Sequence, residues 1–179
     1  MTAEEIREQE QQTIRREVFL RRAIEREVSK LIEVGAATVR RLKPQGGRSL
    51  MEENQIRNLL NVAMETSCVD VVTNFIRYQI GRSPGVWGDD ENKFGPTLIR
   101  DIETGAILQA AEQVKKSVSD AVGEEHVGDT FDRAYLQLTR LYLGYATRMF
   151  YYAKKREDAK DAKAWENLFR AQEGGKRVT

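Results

Sequence analysis

One cysteine, one histidine and three prolines are all that this chain of 179 residues holds of those three types. With Cys68 alone no intrachain disulfide can form, and a zinc finger lacks its ligands. With His126 alone, paired-histidine metal sites are excluded, as is a di-iron bundle built on two Glu-x-x-His pairs. Neither a Gly-x4-Gly-Lys-Ser/Thr loop nor a Gly-x-Gly-x-x-Gly turn occurs, so no motif points to nucleotide binding. No uncharged apolar run approaches the ~18 residues of a membrane-spanning helix. The opening stretch MTAEEIREQEQQ lacks the apolar centre of a secretory signal, and there is no Asn-x-Ser/Thr sequon. These absences set an expectation of a reducing, cytoplasmic setting without membrane contact, and of a chain with no metal, no cofactor and no catalysis of its own.

The prolines, Pro44, Pro84 and Pro96, sit among glycines and polar residues, and long stretches between them are free of breakers. The strand pattern of alternating apolar residues is absent almost everywhere. The fold class expected is therefore all-α: a single domain, 1–179, built as a bundle of about five helices with a long N-terminal helix. That first helix runs from about Ala3 to Leu42 on an apolar stripe of Ile14, Val18, Ile24, Val28, Leu31 and Ile32, with Gly35 as a candidate break or bend. Ser49 to Glu52 reads as a capping box opening a helix over 50–66, with Ile56, Leu59, Leu60, Ala63 and Met64 inward. Val72, Phe75, Ile76 and Ile80 mark the next helix. Residues 82–96 read as a long loop, followed by one helix from Leu98 to about Val122. The last long helix starts near Asp129 or Thr130, with Phe131, Tyr135, Leu138, Tyr142, Tyr145 and Met149 as its stripe. Trp165, Leu168 and Phe169 read as a short terminal helix.

Two polar clusters present themselves as sites and carry little. Asp89, Asp90 and Glu91 match no calcium-loop spacing and read as a solvated loop. Glu124, Glu125, His126 and Asp129 read as a helix–helix turn with acids placed at the next helix's N-terminus; an enzyme built on Glu124, His126 and Asp129 is the least favoured function. Cys68, in ETSCVDVV, reads as a small buried residue.

Charge distribution is more informative. Lysine and arginine total 29 and aspartate and glutamate 28, a net charge of +1, which argues against a wholly basic nucleic-acid binder. It does not argue against a basic face. Segments 1–48 and 154–179 each carry +3, and 83–105 carries −3. Three windows hold no acid at all: Val34–Met51 with Arg48 near its end, Val71–Gly88 with Arg77 and Arg82, and Arg133–Arg156. In the last, Arg133, Arg140, Arg148 and Lys155 recur at steps of seven, eight and seven, on one side of a helix at roughly 10–12 Å intervals. A row of that pitch can follow a phosphate backbone. It is equally the pattern of an ordinary solvated helix face.

Three stretches, SLMEENQIRNLLNVA, FIRYQIGR and DTFDRAYLQLTRLYLGYATRMFYYAKK, occur in that order over about residues 49–155. Together they resemble the small helical subunit of type III-A (Csm) CRISPR effector complexes, or of a related type III variant. The resemblance implies a non-enzymatic subunit of an antiviral ribonucleoprotein. Its copies stack beside the backbone subunits and below the large subunit, and basic side chains touch the phosphates of guide RNA and target RNA. Carried onto this chain, Gln55, Arg57 and Asn58 match the first stretch and Arg77 and Arg82 the second, while Arg140 and Arg148 lie in the third. The expected RNA-backbone residues are thus Arg48, Gln55, Arg57, Asn58, Arg77, Arg82, Arg133, Arg140, Arg148 and Lys155. The expected partners are guide and target RNA, the CRISPR backbone and large subunits, and further copies of the chain. The long first helix, an acidic insertion at 83–105 and an extension over 156–179 depart from the family pattern. The alternative function is an adaptor or scaffold bundle that binds a protein through its first helix and never meets nucleic acid.

Overall fold

The structure, a computed structural model, describes residues 2–44, 51–91, 93–158, 163–166 and 168. It is an all-α bundle, with no strand among the described residues. Helix α1 spans Ala3–Val39 and ends in a 3-10 turn, Arg40–Leu42. Then come α2 (Glu53–Glu65), α3 (Val69–Arg82), the short α4 (Pro84–Trp87), α5 (Phe94–Glu103), α6 (Ala106–Val122), a 3-10 turn at Glu124–His126, and α7 (Thr130–Asp158).

Helix α1 starts on a Thr2–Glu5 capping box: the Thr2 N–H donates to Glu5 Oε2 at 2.6 Å, and the Glu5 N–H donates to Thr2 Oγ1 at 3.3 Å. It runs unbroken through Gly35, which is buried with the Tyr142 ring and the Ala146 backbone 3.8 Å from where a Cβ would stand. There the glycine admits a close neighbour and does not stop the helix. Helix α7 lies at the centre, packing against α1, α6, α2 and α3. Its middle is buried on more than one side, through Ala134, Leu138, Tyr142, Leu143, Ala146, Phe150 and Ala153. That is wider than the single stripe its periodicity predicts, because neighbours cover it on several flanks.

One polar group is built into this apolar interior. Asp101 Oδ2 accepts from the Thr38 hydroxyl at 2.7 Å and from the Tyr142 hydroxyl at 2.8 Å, tying α5 to α1 and α7. Burial, and then the Asp101 charge beside it, push the Tyr142 hydroxyl well above the usual tyrosine range.

Several expectations are corrected. The stretch over 82–96 holds the helix α4 and the start of α5 and sends two side chains into the core: Trp87 and Phe94 are buried, with ring centroids 5.8 Å apart. Pro84 opens α4 at its first position, and Pro96 stands in the first turn of α5, where no helical N–H is lost. The helix expected over 98–122 is two helices, divided at Thr104–Gly105, where a Cβ on Gly105 would lie 2.8 Å from the Arg100 carbonyl oxygen. Helix α2 begins at Glu53, and Gln55 Oε1 accepts from the Glu52 N–H at 2.8 Å. The expected cap Ser49 lies outside the described residues. Cys68 is exposed, because it is the extended residue before α3 in a tight turn whose Thr66 hydroxyl bonds the Cys68 backbone. Met64, expected inward, is exposed. Ile14 and Val18 are also exposed, since the first turns of α1 carry their stripe on the side away from the bundle. Residues 163–166 form a turn, with Trp165 buried edge-on against Phe150. Phe169 lies outside the described residues.

Candidate nucleic-acid interface

Helix α2 lies antiparallel to the C-terminal half of α7, and basic side chains hold the two together along their length. At the N-terminal end of α2, Lys154 Nζ donates to the Met51 carbonyl at 2.5 Å and approaches Glu52 Oε2 at 3.2 Å. Midway, Arg57 Nε donates to the Tyr151 hydroxyl at 3.0 Å, and that hydroxyl donates to the Glu53 carbonyl at 3.3 Å. At the C-terminal end, Arg140 donates from Nε to the Ala63 carbonyl at 2.9 Å. Its Nη2 donates to the Thr66 and Met64 carbonyls at 2.8 and 3.4 Å. A guanidinium there meets the carbonyls that a helix end leaves without partners, and the negative end of the helix dipole. Backbone carbonyls thus replace carboxylates as partners, which accounts in part for the missing acids in 133–156.

The row of Arg133, Arg140, Arg148 and Lys155 is therefore divided. Arg140 faces inward onto α2. Arg133 forms a two-pronged pair with Glu17 of α1, Nη1–Oε1 at 2.5 Å and Nη2–Oε2 at 2.8 Å; that hydrogen bond, above all, holds the Glu17 carboxyl below its ordinary range. Arg77 is likewise occupied, with Nη2 on Glu103 Oε2 at 2.7 Å and Nη1 on Thr73 Oγ1 at 3.2 Å. The Arg77 bond lowers the Glu103 carboxyl in turn. These three arginines are correctly placed on helices, but their charge is used within the fold. Gln55 is likewise used as a cap.

What remains open is a smaller patch. Arg57, Arg148 and Lys155 are exposed, and Arg57 keeps its Nε on the Tyr151 hydroxyl while the rest of its guanidinium faces solvent. Arg148 stacks 5.6 Å from the Tyr145 ring centroid, and the Arg57 guanidinium lies 6.0 Å from that of Tyr151. Tyr152 is exposed beside Arg148 on the same helix face. Asn54, Asn58 and Asn61 are exposed on the neighbouring turns of α2. Arg82, also exposed, stands apart at the end of α3. Arg48 lies outside the described residues. Asn58 was expected here and Tyr151 and Tyr152 share the helix face of the Arg–Lys row in the sequence, whereas Asn54 and Asn61 were not foreseen.

The two acidic clusters show no ligand geometry. Asp89, Asp90 and Glu91 are exposed, and His126 Nε2 lies 3.5 Å from Glu125 Oε1 in an exposed turn. Among the described residues, no group of three or more histidine, cysteine or acidic side chains is placed to hold a metal ion. No described helix is long and apolar enough to cross a membrane. Comparison of the chain with protein-family models, with curated proteins and with solved structures finds no match.

Proposed function

We propose that the chain is a non-catalytic subunit that binds the phosphate backbone of RNA, acting as a small helical subunit of a type III CRISPR ribonucleoprotein. The observation that carries phosphate binding is the patch of Arg57, Arg148 and Lys155. Its cations are exposed and interleaved with Tyr151 and Tyr152; Arg148 and Lys155 rise from a helix that holds no acid from 133 to 156, and Arg57 reaches them from α2. Cations of this kind read phosphates, the tyrosine rings offer stacking faces, and the flanking asparagines add neutral hydrogen bonds. The assignment to a CRISPR complex rests on the three sequence stretches. In that reading guide pairing supplies sequence specificity, and the subunit needs only shape and charge.

The test is the triple variant Arg57→Glu, Arg148→Glu, Lys155→Glu in a tagged full-length chain purified from its host, with co-purifying RNA sequenced. Wild-type chain is expected to bring down guide RNA with CRISPR backbone subunits, and the variant to lose RNA while keeping its helical spectrum. With purified single-stranded RNA, losing three contacts lowers the slope of log K against log salt by about 2. RNA retention unchanged in a folded variant overturns phosphate binding by this patch. Protein partners recovered with no RNA favour the adaptor reading, which draws on the exposed Ile14 and Val18 of α1.

A further inference from the structure

Helix α1 carries a few large apolar side chains that the bundle leaves uncovered. Its three most exposed large apolar side chains are Ile6, Ile14 and Val18, at 40%, 64% and 43% of full exposure. Ile14 and Val18 lie in one row along the helix, at alternating steps of three and four, with Glu4, Arg7 and Gln11 before them and Arg21, Glu25, Val28 and Ile32 after them. These positions form one seam along the helix. Arg16 approaches Gly128, and the turn at Glu125–Gly128 lines a recess with Glu5, Gln9, Gln12 and Arg16, which Gln11 of the seam also borders. Ile14 and Val18 point away from the chain's own core.

We propose that this seam is an interface with a second copy of the chain: the two α1 helices pair antiparallel, Ile14 of each against Val18 of the other. The charges fit that arrangement. Centring the two-fold axis near residue 16 sets Arg7 of one copy opposite Glu25 of the second, and Gln11 opposite Arg21, each occurring twice. Glu25 already holds Arg21 at 3.2 Å on its own helix, so Arg7 of the second copy completes a three-charge cluster. A parallel pairing instead stacks Arg7 on Arg7, Arg21 on Arg21 and Glu25 on Glu25. Sliding the antiparallel pair by one repeat sets Ile14 against Glu25 and Val18 against Arg21. The chosen register also brings Ile6 of the second copy over the groove between α1 and α7, floored by Ile24, Val28, Leu136 and Leu141. All three exposed apolar side chains then find apolar partners. The interface is isologous, with the same patch used twice. It does not depend on the phosphate-binding reading, since the α2/α7 patch is not part of it.

The seam has few apolar layers, so the dimer is concentration-dependent. Sedimentation of the full chain is expected to show twice the monomer mass at high concentration, falling to monomer on dilution. Ile14→Glu with Val18→Glu abolishes that shift while the helical spectrum stays unchanged. Arg7→Glu raises the dissociation constant about tenfold, since two attractive pairs become repulsive, and adding Glu25→Arg restores it. For the register, a Cys68→Ser chain carrying Ile14→Cys is mixed with one carrying Val18→Cys and oxidised. A disulfide between positions 14 and 18 is expected. The proposal is overturned by a chain that stays monomeric at about 1 mM. Disulfides confined to 14–14 and 18–18 pairs also overturn it, as does a companion Ile32→Cys chain that captures Ile14→Cys in preference to Val18→Cys.

Discussion

Replacing Arg140 by alanine separates two roles that an arginine in this row could have. Its guanidinium makes two well-placed hydrogen bonds, to the Ala63 and Thr66 carbonyls, and a longer one to Met64. A hydrogen bond to a charged group contributes about 1.5–3 kcal/mol, and a buried acceptor left bare costs about as much. Ala63 is buried, whereas the Met64 and Thr66 carbonyls lie nearer solvent and recover part of the loss from water. The sum for Arg140→Ala is about 2–3 kcal/mol. For a chain of this length that lowers the melting temperature by about 4–12 °C. Urea unfolding followed by circular dichroism measures it, and an unchanged m-value keeps the interpretation in the folded state. Arg140→Lys recovers about half, because an ammonium cannot span carbonyls that the planar fork reaches together. RNA retention by the folded variant stays close to wild type. A stability loss below about 0.5 kcal/mol, accompanied by lost RNA, refutes the reasoning: it shows a guanidinium that was never committed to the helix end.

Three further outcomes are expected. Tyr142→Phe removes one of the two donors to Asp101 and costs about 1–2 kcal/mol in urea unfolding; a neutral result shows that Thr38 alone satisfies the carboxylate. Glu17 and Glu103 are held below their ordinary value of 4.5, so their stabilisation is present above that pH and is lost as pH falls through the lowered values. Glu17→Gln with Glu103→Gln therefore flattens the acid limb of stability against pH, and an acid limb identical to wild type refutes the pairings. Gly88→Ala is strongly destabilising in a thermal melt, because φ is +83° and the new Cβ would fall 2.0 Å from Lys93 Cβ. A wild-type melting temperature for Gly88→Ala contradicts that backbone.

The long amphipathic elements were legible because their period is local. The start of α7 and the inward positions Ile56, Leu59, Val72, Ile76, Leu138 and Tyr142 follow from it directly. Residues 82–96 misled because glycine and proline were weighed as breakers, whereas Pro84 and Pro96 sit where helices begin. The burial of Trp87 was visible only in its size. The candidate site was half legible for a different reason. Arg57, Arg148 and Lys155 are open, but Arg140 is committed to carbonyls 74–77 residues earlier in the chain, and Arg133 to a glutamate 116 residues away. Spacing along one helix cannot report what a distant segment brings against it. Ile14 and Val18 show the reverse case, where a regular stripe has no neighbour within the chain to cover it.

The adjacency of α1 and α7, the two helices farthest apart in sequence, has a consequence for synthesis. Helix α1 packs most extensively against α7, yet some 120 residues of chain separate the end of one from the end of the other. At about 5–20 residues per second, α1 waits about 6–24 s for its main partner to be made. During that interval α1 can settle against α6 and α5, but the side of it that meets α7 has no cover, and α2 to α6 can assemble only a partial core. A nascent chain arrested before α7 should be protease-sensitive along α1, and release of the last helix should close the bundle in one late step.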